Sequence, residues 1–463
     1  MFSVVQTPLR GVLSSLAHFF VIVLLTAFCL AAHGNTVDFT LLASSDLHGN
    51  KSLIQYSIAP VVKKLSQESS GTLIYLDTGD CAQGSPELLY KRGSGILPEL
   101  YRSGCSIFVP GNHELEYGFD AFKNILNEFP GTILAANLYA PELEGRFTDT
   151  LIVERNGVKI AFIGLMLQYM ENTFPVAENR FRTLPGKAVL RKAVNKVIAQ
   201  GSDMIVLLRH AGKYGGGENT FDLIKDIPEI DLVIGAHTHI GDAGSLVGNA
   251  WYVQPPAHGK ALVKIRITFD RKLRRVKQIK SSFIELKAQY DKSEPMQDKA
   301  PSWYGKTPDH AAVMIREKYN ADLALYAVNS PEKLNGLLKN PSPRQIDFYR
   351  VFPYFDTIIT VKVTGGEFAA ILREYVQFAH KRKQYLAKSG FSANIVRSKV
   401  RNISLPETNN GYTLALSAYA AAGAGGNLKD TRRILKDKID YQQLVNTISL
   451  LELLTVKQGE FFL

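Results

Sequence analysis

The sequence predicts an α/β layered fold with a second region behind it, and three observations carry that expectation. Short apolar runs alternate with helically spaced stretches from Val37 to about Ile284. Such alternation buries strands between helical layers. From Ala261 to Phe269 the pattern changes to an alternating strand. A polar stretch over residues 286–304, containing Pro295 and Pro301, then reads as a linker or connecting helix. The 463 residues are also too many for one typical domain, since domains run to roughly 100–200 residues.

Taken in order, Phe39–Ala43, Thr72–Leu76, Ile107–Val109, Ile133–Ala135, Lys159–Gly164, Met204–Leu208 and Leu232–Ile234 read as buried strands. Leu53–Gln67 and Gly186–Gln200 have helical spacing. The region from about residue 305 to 463 has strands of its own at Ala321–Val328, Ile358–Val363 and Tyr412–Ser417. Its helices are expected at Gly366–Lys388 and Gln442–Thr455. No internal repeat or low-complexity tract interrupts either region.

Residues 1–34 differ from the rest. They hold no acidic residue, one basic residue (Arg10) and a nearly unbroken apolar run from Phe19 to Ala32. That run suits a secretory signal and is short for a membrane span of ~20 residues. Ala32 and Gly34 are small residues that fit cleavage after Gly34; an uncleaved anchor is the alternative. Phe28 before Cys29 argues against lipidation. No second apolar run approaches membrane length, so the expectation is an exported protein, periplasmic or extracellular. Of the remaining cysteines, Cys81 and Cys105 could form a disulfide or stay as buried thiols.

The formal net charge is +11. The basic residues are scattered, and their densest run, Arg271–Lys277, lies between strand-like segments. A solvated edge is expected there rather than a nucleic-acid surface, and the positive field favours anionic substrates.

The chemistry is concentrated after strand ends. Asp46-Leu47-His48-Gly49, Gly79-Asp80, Gly111-Asn112-His113-Glu114, His210 and Gly235-Ala236-His237-Thr238-His239 each follow a predicted strand. Ligand sites in open α/β folds gather at the carboxyl ends of strands, so these segments should converge. Of eight histidines in residues 35–463, five fall in these motifs, too many for unrelated turns. Carboxylate, amide and imidazole donors without thiolate suit Zn, Mn, Fe, Co or Ni. Two such ions could clamp a phosphoryl group and lower the pKa of a water.

These motifs, with Gly84-Ser85-Pro86, make the chain resemble the bacterial 5′-nucleotidase family of calcineurin-like two-metal phosphoesterases. The resemblance implies a four-layer α-β-β-α metallophosphoesterase sandwich over residues 35–285 and a smaller α+β substrate-binding domain over 305–463. It implies that Asp46, His48, Asp80 and His239 hold one divalent ion and that Asp80, Asn112, His210 and His237 hold the other, with Asp80 bridging. His113 matches the histidine that stabilises the transferring phosphoryl group. Glu116 stands where the family usually has an aspartate to orient that ring; Asp120 is a weaker substitute.

The C-terminal likeness rests on Arg344–Arg350 with Val351–Phe355, on Thr364–Glu367, on Lys388–Phe391 and on Ser417–Gly426. Tyr419 takes the place of a base-stacking aromatic, with Phe391 near the opposing one; the alternative is that both are core aromatics. Gly425 replaces the family's acidic residue, and the arginine expected after Asn329 is missing from Asn329-Ser330-Pro331-Glu332. The implied reaction is hydrolysis of a small-molecule phosphate ester, foremost a nucleoside 5′-monophosphate. A 2′,3′-cyclic nucleotide, a nucleotide-sugar or a sulfur ester are the alternative substrates. A catalytically silent binding protein on the same scaffold is the alternative of another class.

Overall fold

A computed structural model describes residues 35–286, 309–328 and 357–439, except 70–71, 86, 89–90, 169, 171–179, 215–218, 409 and 425–426; it also describes 336 and 339. The leader segment, residues 287–304 of the linker, the stretches Asn329–Glu332 and Arg344–Phe355, Gly425 and the helix expected at Gln442–Thr455 lie outside the described residues.

Twelve strands build the two main sheets of the first region, and Leu138–Tyr139 with Arg182–Thr183 forms a separate short pair. The twelve are β1 Thr36–Ser44, β2 Leu73–Asp77, β3 Cys105–Phe108, β4 Thr132–Ile133, β5 Thr150–Arg155, β6 Val158–Leu165, β7 Met204–Arg209, β8 Leu232–Ile234, β9 Asp242–Val247, β10 Ala250–Gln254, β11 Ala261–Asp270 and β12 Arg275–Glu285. They form two six-stranded sheets, ordered β12-β11-β1-β2-β3-β4 and β9-β10-β8-β7-β6-β5. The strands β1 to β4 run parallel, as do β6, β7, β8 and β10. Continuous burial on both faces explains their unbroken apolar runs. One apolar layer lies between the sheets, where Leu41, Leu76 and Ile107 meet Phe162, Val206 and Ile234. A second packs the helices Ala59–Glu68, Ile96–Arg102 and Phe119–Asn127 on the outer face of the first sheet. A third packs Gly186–Ala199 on the outer face of the other. The result is the expected four layers, helix, sheet, sheet, helix. In the Arg271–Lys277 run, Arg271–Arg274 form the turn joining β11 to β12 and Arg275–Lys277 open β12, and its charged residues are exposed.

The second region holds β13 Leu323–Val328, β14 Ile358–Val363, β15 Tyr385–Ser389, β16 Ser392–Val396, β17 Lys399–Ser404 and β18 Tyr412–Ser417. Its sheet is ordered β14-β18-β13-β15, with β16 and β17 as a separate hairpin. The helix read as Gly366–Lys388 ends at Lys381 instead, and the last part of that range is β15. Lys383 adopts a left-handed backbone and turns the chain. Residues 385–389 then pair antiparallel with the open edge of β13. Edge hydrogen bonds available only in the folded sheet override the local helical spacing. Thr364 and Glu367 cap that helix reciprocally, the Thr364 hydroxyl accepting from the Glu367 N–H and the Glu367 carboxylate from the Thr364 N–H.

Cys81 and Cys105 are buried free thiols, not a disulfide. Cys81 Sγ donates to Asp77 Oδ1 and Cys105 Sγ to the Ile107 carbonyl, both at 3.3 Å. Among the described residues, no helix is long and apolar enough to cross a membrane.

Candidate metal centre

Five strand ends bring the expected residues to one place. Asp46 follows β1, Asp80 follows β2, Asn112 follows β3, His210 follows β7, and His237 and His239 follow β8. The loops after β1 and β2 continue to pair beyond their strands: Asp46 N donates to Gly79 O at 2.8 Å and His48 N to Asp80 O at 3.0 Å. Glycine permits the next contact. A Cβ on Gly79 would sit 2.3 Å from Gly111 N, and one on Gly111 would sit 2.3 Å from Asp80 Oδ1. Neither loop could close on the other with a side chain there.

The donor atoms fall into two groups. Asp46, His48 and His239 each offer an atom within 4.8 Å of the others, and so do Asp80, His210 and His237. His48 Nε2 faces His239 Nε2 at 3.0 Å, and His239 Nε2 lies 3.5 Å from Asp46 Oδ1. His210 Nε2 lies 3.1 Å from Asp80 Oδ2, and Asn112 Oδ1 is 2.8 Å from His237 Nδ1. The opposite ring nitrogens are engaged: His48 Nδ1 donates to Gln83 Oε1 at 3.1 Å, and His210 Nδ1 to the Thr78 carbonyl at 2.6 Å. Anchoring one nitrogen while the other faces carboxylates and imidazoles is how histidines are set to bind a metal. Two buried carboxylates and an amide oxygen complete a donor set that fits two divalent cations.

The charges agree. Burial and neighbouring imidazoles push His48 and His237 down to about 3, and burial with His258 takes His239 to about 4, so all three are neutral near pH 7. Burial raises Asp46 to about 6. Burial opposes charge on His210 too, but Asp80 and Asp46 outweigh it and lift the ring to about 10. His210 therefore carries a proton at pH 7 that a cation must displace. Metal loading at pH 7–8 should release roughly one proton per chain, readable by calorimetry in buffers of different ionisation enthalpy. Affinity should fall below about pH 6 as Asp46 protonates. No proton release at pH 8 would remove His210 from the donors.

His113 begins a short 3₁₀ turn directly after Asn112. Its Nδ1 is 2.6 Å from Glu116 Oε2, and its backbone N–H donates to Asp80 Oδ1 at 2.8 Å. Burial disfavours charge on the ring, but Asp80 and Glu116 outweigh it and raise the ring to about 9. Asp120 is not the orienting group: it is exposed and bound to Arg180 at 2.8 Å. The longer glutamate reaches the ring because the turn brings residue 116 back beside residue 113.

Two residues without a role in the motif reading emerge here. Gln83 orients His48, and nothing in the sequence marks it. Glu114, quoted only as part of Gly111–Glu114, is fully buried and accepts from the backbone N–H groups of Asp80, Cys81, Ala82 and Gly111 at 2.6–3.0 Å. One carboxylate thus ties together the loops that carry Asp80 and Asn112. Glu114→Ala should cost roughly 3 kcal/mol or more of stability by orphaning these groups. Chemical denaturation checks this; a loss below about 1 kcal/mol, the scale of one ordinary hydrogen bond, would mean that water replaces the carboxylate.

Phe391 and Tyr419 belong to the second region. Both are half-buried and pack against the apolar core of its sheet, Phe391 edge-to-face with Phe368 at 4.8 Å between ring centroids.

Two sheets with convergent loops and a paired donor set define a metallophosphoesterase scaffold. Residues 39–241 match the calcineurin-like phosphoesterase family. The "Probable 5′-nucleotidase" of Treponema pallidum is 27% identical over 235 residues, covering 45% of this chain and 38% of that protein. The 2′,3′-cyclic-nucleotide 2′-phosphodiesterase/3′-nucleotidase of Salmonella typhimurium is 23% identical over 260 residues, covering 47% of this chain and 39% of that protein. The match thus spans well under half the length of these relatives. The 5′-nucleotidase precursor of Thermus thermophilus superposes with a TM-score of 0.62 at 17% identity, over 90% of this chain and 96% of that one. At that identity it shows the shared fold.

Proposed function

We propose that this protein is an exported, dinuclear metal-dependent hydrolase of phosphate esters, acting foremost on nucleoside 5′-monophosphates. The observation that carries this reading is the pair of donor groups beside His113. In it, residues 35–285 are the catalytic domain, and residues 305–463, joined through 286–304, bind the rest of the substrate. Asp46, His48, Asp80 and His239 would hold one cation, and Asp80, Asn112, His210 and His237 the other. When bound, the cations supply Lewis acidity and a more acidic water. The chain's own residues do the rest. Glu116 fixes the His113 ring, and with Nδ1 so bound, proton transfer to the leaving ester oxygen falls to Nε2. Asp46, His48, Asp80 and His210 are buried and shield the inner side of the site from water, while His239 stands exposed where substrate enters. Hydrolysis of 2′,3′-cyclic nucleotides is a second reading, favoured by the name of the Salmonella relative.

A phosphate-release screen of the purified protein across nucleotides, with several divalent metals, tests the reading. Release from no phosphate ester with any metal would sink it in favour of a silent binding protein. The stacking assignment has its own test. Tyr419→Ala should raise KM for nucleotides about 5- to 100-fold, since base–aromatic stacking is worth ~1–3 kcal/mol. It should leave an aryl phosphate nearly unchanged. Equal losses on both would make Tyr419 a core residue alone. With neither the acid at 425 nor the arginine after Asn329, discrimination among bases should be weak, because hydrogen-bonding groups supply the steep discrimination.

A further inference from the structure

One exposed imidazole beside the metal centre has no role in the scheme above. His258 lies in the turn after β10, the strand next to β8 in the second sheet. Its ring centroid is 5.0 Å from that of His48, tilted by 38°, and 5.5 Å from that of His239, edge to face. Its ring joins neither donor group. The side chain is exposed, unlike the buried donors Asp46, Asp80 and His210.

The turn is pinned where it stands. His258 N donates to the Asp46 carbonyl at 2.8 Å, and Ser45 Oγ to the Pro255 carbonyl at 3.4 Å. Gly259 presses on Leu53, so closely that a Cβ there would fall 1.7 Å from Leu53 Cδ2. His258 is thereby held in the left-handed region, at φ +61°. Residues with a side chain rarely adopt it. The same conformation is found at Asp46, His48, Asp80, His237 and His239. Strained backbone gathers at functional sites, where the surrounding structure holds a side chain in place. Turns such as Arg92, Asn156 and Lys383 share that backbone, and what joins His258 to the donors is its ring, set beside those of His48 and His239 at the exposed rim.

We propose that His258 is a substrate-contacting residue that hydrogen-bonds the phosphoryl group from the side of Asp46, His48 and His239. This rests on the phosphoesterase reading. His113 and His258 both stand beside the His48 ring, the former at 5.4 Å between centroids. An anion bound there meets His258 at the exposed rim. The contact is to the phosphoryl group, so it serves every phosphate ester alike.

His258→Gly removes the ring while letting the backbone keep its angle without strain. The full chain is loaded with Mn²⁺, its metal content measured, and its affinity for inorganic phosphate determined by calorimetry. The variant should retain two metals and bind phosphate about 10- to 100-fold more weakly, the scale of one hydrogen bond to a charged group. KM should rise by a similar factor for a nucleotide and for an aryl phosphate. Unchanged phosphate affinity overturns the proposal. Loss of a metal overturns it as well, because His258 would then hold a cation. A KM effect confined to the nucleotide overturns it too, by assigning His258 to the nucleoside. Wild-type protein that loads two metals but neither binds phosphate nor hydrolyses any ester would instead overturn the phosphoesterase reading itself.

Discussion

Asp80→Asn is expected to cost at least one metal ion and nearly all activity while leaving the fold intact. Asp80 is buried within the donor group it forms with His210 and His237. Oδ1 accepts from His113 N, and Oδ2 faces His210 Nε2 at 3.1 Å. Burial alone would raise its pKa, but His210 and His113 outweigh it, and the carboxyl lies well below the usual range. The carboxylate is therefore charged wherever the protein is folded and near neutral. An amide of the same shape keeps an acceptor for His113 N and loses the charge that two cations would share. His210, lifted to about 10 largely by Asp80, should then titrate lower. Elemental analysis with activity assays decides the matter. Two metals retained with normal turnover would remove Asp80 from the bridging position.

His113→Ala is expected to lower kcat by roughly 10²–10³-fold, the scale for one donor aimed at developing charge. Metal content should stay intact, because the His113 ring belongs to neither donor group. Glu116→Gln should cost less, since Glu116 holds the ring at 2.6 Å and acts through it. The pH profile separates the two. His113 must carry a proton to give one, so activity should fall as pH rises toward about 9. Cations that neutralise Asp80 bring that limb to or below this value. Glu116→Gln should move the limb to lower pH, because the charge that holds the proton is gone. His113→Ala should flatten it. A larger loss from Glu116→Gln than from His113→Ala would reverse the roles.

Much of this was legible before any coordinates. The buried strands announce themselves as apolar runs because both faces of a parallel strand are covered, as at Leu232–Ile234, whereas the antiparallel edge strand Ile358–Val363 shows itself by alternation, with Thr360 and Lys362 exposed between buried residues. The donor residues were legible because each closes a strand and because aspartate, asparagine and histidine carry metal chemistry in their side chains. Residue type and a short local pattern are properties of the chain itself.

What the folded structure alone decided depends on partners distant in sequence. Residues 385–389 become a strand only because β13 offers an edge. Cys81 and Cys105 are buried as free thiols, each beside its own acceptor, Asp77 or the Ile107 carbonyl. Asp120 is kept from His113 by Arg180, 60 residues away, which holds its carboxylate at the surface, whereas Glu116, three residues from His113, is already marked in the sequence. Gln83 and Glu114 gain their places from loops after neighbouring strands of one sheet, and His258 from a loop that reaches Asp46 only when the two sheets pack face to face. His258 lies 210 residues beyond His48 in the chain, and no spacing rule connects them. A pattern in sequence reports which face a residue turns inward; which neighbours it finds there is settled by packing.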